Sequence, residues 1–364
     1  MNVTAHLVLA VLTVLFLAAT GISFVRIAHG FVRSFSFPRL QILALTVVLA
    51  GFTIWLVDDP QWLWTLLAGQ AIVAIVQAAC ILQFTPLRPR QSERFDGPDD
   101  APNVVSILSS NVKMSNRDYG RTVQIARDAN PDIALFMEVD QAWTDALAPI
   151  GEGRPHQVVQ PLDNAYGMAL YSRLELADVQ VQDLIMDEVP SIIATVTLRD
   201  GRSFRLYCVH PEPPVPHIDS AGRDGELMQV AHLVDKDEMP AVVCGDLNDV
   251  AWSHTTRLFQ RLSGLLDPRI GRGFYSSFDA RFWFLRWPLD HLFHDARFRL
   301  VSMRRLPYTG SDHFPMYFSL ALTQSTGDSA PPPEKDETDL EESREIREEA
   351  RELDRDAIGV DWEK

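Results

Sequence analysis

Three long apolar runs open the chain, and short apolar segments broken by polar ones follow them. Leu7 to Val25, Leu40 to Val57 and Trp62 to Phe84 contain no charged side chain. Each has roughly the 18–23 residues with which a helix crosses a bilayer. A cleaved signal peptide accounts for the first run alone, and Trp55, Trp62 and Trp64 lie near run ends, where interfacial aromatics belong. The pattern predicts a three-helix transmembrane anchor in residues 1–87.

Beyond it, Val104 to Ser109, Asp132 to Met137, Gly167 to Tyr171, Ile192 to Leu198, Phe204 to Val209, Ala241 to Cys244, Leu289 to Phe293 and Pro315 to Leu322 read as strands. Tyr119 to Ala129, stopped by Asn130-Pro131, and Leu227 to Val234 have helical spacing. Neighbouring strands are joined both directly and through helices. An α/β domain over 103–323, with two packed sheets and outer helices, fits that order better than one doubly wound sheet. Residues 88–102, with Pro89, Pro98 and Asp99-Asp100, read as a polar linker. Residues 324–364 pass through Pro331-Pro332-Pro333 into a stretch with almost no apolar face. Glu/Arg spacing there permits a transient helix, and the expectation is an acidic disordered tail.

Charge sharpens two points. The formal net charge is −16, and residues 328–364 hold 15 acidic and 6 basic side chains. Residues 103–324 hold 28 acidic and 21 basic, so the domain lacks the basic excess of a general DNA binder. Arg26, Arg33 and Arg39 follow the first apolar run and Arg88, Arg90 and Arg94 follow the third, whereas Asp58 and Asp59 separate the second from the third. That placement predicts a multi-pass inner-membrane protein with a cytoplasmic domain. Cys80, Cys208 and Cys244 lie in separate apolar runs and read as small buried hydrophobes.

The candidate chemistry sits at strand ends, the edge where α/β proteins keep their sites. Ala241 to Cys244 runs into Gly245-Asp246-Leu247-Asn248-Asp249, and other strands end at Asn111, Glu138, His210, Asp290 and Asp312-His313. Taken singly, these residues also serve as caps, turn residues or loop histidines. Their repetition at strand after strand argues for one site. A hard divalent cation takes oxygen ligands, which Glu138, Asn111 and Asp312 can offer. His210 and His313 can donate to a phosphoryl oxygen or take a proton, Asp290 can hold the His313 ring, Asp246 can position or deprotonate water, and Asn248 can donate to the phosphoryl group. His291 is expected to be structural.

The segments Ser110-Asn111-Val112, Pro131 to Glu138, Gly167 to Arg173, Val209-His210, Gly245 to Asn248, Leu289 to His291 and Ser311 to Pro315 together resemble the endonuclease/exonuclease/phosphatase superfamily, in its order. The resemblance implies a DNase I-like two-sheet sandwich and Mg²⁺- or Mn²⁺-dependent phosphoester hydrolysis. It implies a metal at Asn111 and Glu138 with Asp312 close by, His210 and Asn248 on the scissile phosphate, Asp246 on the attacking water, and Asp290 behind His313. Lys113 departs from the pattern, since nuclease members often carry an acidic residue there. Three apolar helices ahead of such a domain resemble a membrane-anchored bacterial branch linked to lipid-pyrophosphate chemistry outside the cytoplasm, opposite to the side the arginines indicate.

The dense aromatics from Phe274 to Trp287 are expected to be about half core and half exposed platform. The leading expectation is a membrane-anchored phosphoesterase acting on a phosphomonoester, phosphodiester or pyrophosphate, lipid-linked substrates included. A DNA endonuclease or exonuclease and a non-catalytic membrane scaffold are the alternatives.

Overall fold

The computed structural model describes residues 3–327 and 329–360. Helices α1 (Val3–Ile22), α3 (Arg39–Leu56) and α4 (Pro60–Ile81) pack as a bundle, with the short α2 (Gly30–Ser34) between the first two. Three helical stretches, Thr4–Ile22, Arg39–Leu56 and Pro60–Phe84, are long and apolar enough to cross a membrane. Polar side chains thread the bundle. Gln70 Nε2 donates to Thr13 Oγ1 and Thr53 Oγ1, Gln77 Nε2 donates to Thr20 Oγ1, and Arg39 donates to Gln77 Oε1. Each satisfies a polar group that hydrocarbon would leave unpaired.

The rest of the chain runs β1 (Val104–Asn111), α5 (Tyr119–Ala129), β2 (Ile133–Met137), α6 (Gln141–Gly151), β3 (His156–Gln160), β4 (Met168–Ser172), β5 (Glu175–Asp183), β6 (Pro190–Thr197), β7 (Ser203–Val209), α7 (Ala221–Lys236), β8 (Ala241–Asp246), α8 (His254–Ser263), β9 (Asp290–His294), β10 (Phe298–Arg305), β11 (Met316–Leu322) and α9 (Glu337–Arg351). One sheet has the order β10-β11-β1-β2-β4-β3 and the other β5-β6-β7-β8-β9. Period-two alternation builds the layers. Ile107, Ile133, Leu135 and Leu170 face Ile192, Leu206, Val242 and Leu292 of the opposite sheet in one core. The alternate residues Leu108, Ala134, Phe136 and Ala169 pack outward with Trp143 and Leu147 of α6, and Tyr207, Val243 and Phe293 pack with Leu227, Leu258 and Phe259 of α7 and α8. This is the expected two-sheet α/β sandwich between helical layers.

The 88–102 linker is held against the sandwich: Phe95 N donates to Leu300 O, Leu300 N to Glu93 O, and Ser92 Oγ bonds His294 Nε2. One expectation fails. The tail is not disordered over its described length. Asp336 caps α9 in a capping box, Arg261 pairs with Asp339, Leu353 and Val360 pack beside Tyr166 and Met186, and Arg355 forks onto Glu212 and Asp219. Specific ion pairs add to a few scattered apolar contacts, those of Ile346, Ala350, Leu353 and Val360. Residues 361–364 of that expected tail lie outside the described residues.

The apolar helical bundle and the sandwich share contacts. Arg33 donates to Asp224 in a buried pair, Trp252 Nε1 donates to Ser36 O, and Ile81, Phe84 and Phe37 pack with Trp252 and Leu289.

Candidate active site

Strand termini bring the expected residues together. β1 and β2 pair in parallel, so Asn111 at the end of β1 lies beside Met137, and Glu138 follows on the same edge. In the other sheet β8 pairs with β7 in parallel and with β9 antiparallel, which sets Asp246 opposite Asp290 and Gly245 opposite Val209, with His210 next. Gly245 has φ of 146°, and a Cβ there would strike the Val209 carbonyl. Only glycine allows that approach. Glu138, Asn248 and Lys113 have φ of 60°, 51° and 58°. Such left-handed conformations cost roughly 1–3 kcal/mol each and gather at functional sites.

Asn111 Nδ2 donates to Glu138 Oε1 at 2.7 Å and to Asp246 Oδ2 at 3.1 Å, tying the two sheets' carboxylates together. Its oxygen accepts from Lys113 N at 3.0 Å, so the amide points nitrogen-first at the carboxylates, not oxygen-first as an ion ligand would. His313 lies between two acids, with Nδ1 2.7 Å from Asp290 and Nε2 3.3 Å from Asp246. His210 Nε2 is 4.0 Å from Asp246. Asn248 N donates to Asp246 Oδ1, and its side chain donates to Pro211 O. These groups border a cavity of about 280 Å³, lined by Glu138, His210, Asp246, Asn248, Asp312 and His313 among others. Asp290 lies behind His313 and outside that lining. His291 is buried between Arg269 and Asp249 O, as expected of a structural histidine.

Protonation follows from these surroundings. Burial alone would lower the His313 pKa, but Asp246 and Asp290 outweigh it and raise it to about 10. Burial lowers the His210 pKa to about 4, so that ring is neutral near pH 7. Burial pushes Glu138 up to about 7 against the Asn111 hydrogen bond, and it raises Asp246 as well.

Two groups of residues could hold a cation. Asp246, Asp290 and His313 offer ligand atoms within 4.8 Å of one another. There, however, the His313 ring already bridges the two carboxylates and occupies the space between them, offsetting one of their two charges. Glu138 fits better: its half-buried carboxylate receives only the neutral donors Asn111 Nδ2 and Met114 N, and no lysine or arginine among the described residues pairs with it. A carboxylate so placed, open to the cavity and without a cationic partner, suits a cation beside it. Asp312 departs from expectation as a metal ligand, because Lys113 Nζ pairs with it at 2.8 Å and Arg281 stands 3.6 Å away.

The cavity also has walls that sequence reasoning did not supply: Tyr166, Phe278, Phe37 from the loop between α1 and α3, and Ile358 and Gly359 from the tail. Tyr166 donates to Ile358 O, and Ile358 N donates to Glu212.

Residues 108–313, more than half of the chain, match the Endonuclease/Exonuclease/phosphatase family. The chain belongs to this family. Its members are hydrolases acting on phosphoester bonds, and they typically use a divalent metal. Similar solved structures include TDP2 of D. rerio with a single-strand DNA product (16% identical, covering 60% of this chain and 98% of that one, TM-score 0.49). The human Nocturnin catalytic domain with bound sulfate (15%, 61% and 94%, 0.48) and an endonuclease/exonuclease/phosphatase from Beutenbergia cavernae (17%, 61% and 72%, 0.46) are also similar. No curated protein sequence matches the chain.

Proposed function

We propose that this family member is a membrane-anchored phosphoesterase that uses Mg²⁺ or Mn²⁺ to hydrolyse a small phosphomonoester, phosphodiester or pyrophosphate, including one carried on a lipid. The observation that carries the reading is the convergence of Glu138, Asp246, His210 and His313 on one cavity, with Asn111 tying Glu138 to Asp246 behind it. An endonuclease reading is less well supported. The cavity is narrow, with Phe37, Pro213, Pro214, Ile358 and Gly359 among its walls, and suits a phosphate head better than a duplex.

Glu138 would hold the divalent ion, with Asn111 beside it once its amide is turned. The ion would supply positive charge to the phosphoryl oxygens. Asp246 is positioned to orient a water and accept its proton as that oxygen attacks phosphorus and the leaving-group bond breaks. His313, kept charged by Asp290, faces the negative charge that builds on the phosphoryl group. Neutral His210 and the amide of Asn248 are placed to donate to the same oxygens.

The three apolar helices support anchoring, and six arginines on the domain's side of the anchor support a cytoplasmic domain. Arg33 and Arg39 also have partners in the folded state, but topology is set during insertion, before that folding. The opposite side, suggested by the resemblance to the membrane-anchored branch, has no comparable feature in this chain.

The test uses the full-length protein in detergent with phosphomonoester, phosphodiester and pyrophosphate substrates, with and without a chelator. Cation-dependent hydrolysis of one class is expected, with Asp246→Asn and Glu138→Ala each lowering kcat by at least about 10²-fold. Full activity in Glu138→Ala, or inactivity on every class, would overturn it.

A further inference from the structure

Beside the start of α3 lies a second and larger cavity, of about 1110 Å³. One wall is the first turns of the membrane-crossing helix: Leu40, Ala44 and Leu45. The other is the aromatic loop, with Trp283 80% exposed and Phe282, Phe284 and Leu285 also open. Gln41 Nε2 donates to Phe284 O at 2.9 Å, which holds the loop against the helix. Apolar surface of this extent, continuous with a span that lies in hydrocarbon, belongs in the bilayer boundary rather than in water.

The same cavity is lined by Arg272, Arg286 and Arg305. Neighbouring arginines are neutralised: Arg269 by Asp267, Arg281 by Asp279 and Arg299 by Glu93. Among the described residues no carboxylate pairs with Arg272, Arg286 or Arg305. Their hydrogen bonds go to main-chain carbonyls of Pro268 and Ser92, of Ala280, and of Ser276. Arg286 and Arg305 both stand over the Phe314 ring, at 4.9 and 4.4 Å, one residue along the chain from His313. In a chain of net charge −16, an apolar groove lined by three guanidiniums with no paired carboxylate, two of them over one ring, is unusual. Burial, with Arg90 and Arg94 nearby, depresses the Arg272 pKa to about 10.

We infer that this groove is a binding site for an anionic bilayer phospholipid, with its phosphate among Arg272, Arg286 and Arg305 and an acyl chain between α3 and Trp283–Leu285. Neither a soluble anion nor a neutral lipid matches both ends of the groove. The bound lipid seats the domain on the membrane surface next to the catalytic cavity, whatever the enzyme's substrate is.

The full-length protein, delipidated in detergent, is offered phosphatidylglycerol or phosphatidylcholine with identical acyl chains, and retained lipid is counted by native mass spectrometry. Phosphatidylglycerol is expected to be retained about tenfold more than phosphatidylcholine. The triple change Arg272→Gln, Arg286→Gln and Arg305→Gln should erase that preference. Trp283→Ser should lower retention of both lipids and leave their ratio unchanged. Equal retention of the two lipids by the wild-type protein overturns the inference without reference to any variant, and so does release of phosphatidylglycerol by millimolar inorganic phosphate. No arm measures hydrolysis, so failure here is separate from failure of the catalytic reading.

Discussion

His313 is the residue whose state most constrains the chemistry. Held between Asp246 and Asp290, its imidazolium persists up to about pH 10. A folded pKa above the ordinary histidine value of 6.5 stabilises the fold below that value, and the contribution is lost as pH rises through about 10. The ring should therefore stay doubly protonated at pH 8 by nitrogen NMR, and Asp290→Asn should bring its titration down towards neutrality. A ring already neutral at pH 8 in the wild-type protein would remove the charge assigned to it. Glu138 has the converse role. Without an ion its carboxyl titrates near pH 7 against an ordinary glutamate value of 4.5, so its ionisation destabilises the ion-free fold increasingly across that interval. Divalent-ion affinity, which needs the ionised form, should rise with pH through about 7 and level off above it. Calorimetry in two buffers should show proton release at pH 6 and little at pH 8.5.

At the scale of elements, the strands that end in chemistry were legible, because buried parallel and central strands carry continuous apolar runs whose ends are marked by polar residues. β2 and β8 follow that pattern, and β1, β7 and β11, with single polar residues inside largely buried runs, come close to it; the edge strand β9 shows it least. The edge strands β3 and β5 did not stand out, since much of each is exposed and β5 has a register shift between Ala177 and Gln180. Helix α8 did carry a signal, a Ser253 cap followed by Leu258, Phe259 and Leu262, which attention to longer apolar runs passes over. The pairing of Lys113 with Asp312 was beyond reach, because those residues meet only through folding. So was the docking of α9, which combines ion pairs such as Arg261–Asp339 with two isolated apolar contacts, Ile346 and Ala350. Gly245 gives an element-scale prediction: Gly245→Ala forces β7 and β8 apart and should cost about 2–4 kcal/mol in unfolding free energy. An unchanged denaturant midpoint would contradict the close approach of Val209.

The whole molecule is less divisible than its sequence suggests. The apolar helical bundle and the more polar sandwich differ sharply in composition, yet Arg33–Asp224, Ser36–Trp252 and the Phe37–Leu289 cluster join them. Because Arg223 also pairs with Asp224, Arg33→Ala should lower stability by only about 1–3 kcal/mol, less than loss of a sole partner would. The tail closes over the same region. Arg355→Ala leaves the buried Glu212 without its guanidinium and should expose residues beyond Arg351 to limited proteolysis while the sandwich stays intact. A reporter fused after Leu322 should mature in the cytoplasm, as the arginine distribution requires.

The central claim is that a divalent cation sits at Glu138, in the cavity that also holds Asp246, His210 and His313. Crystals of the protein grown with Mn²⁺ and phosphate test it most directly through anomalous scattering. The account predicts one manganese peak bonded to a Glu138 oxygen, with phosphate between it and His210. A peak among Asp246, Asp290 and His313 instead, or none at Glu138, would contradict it.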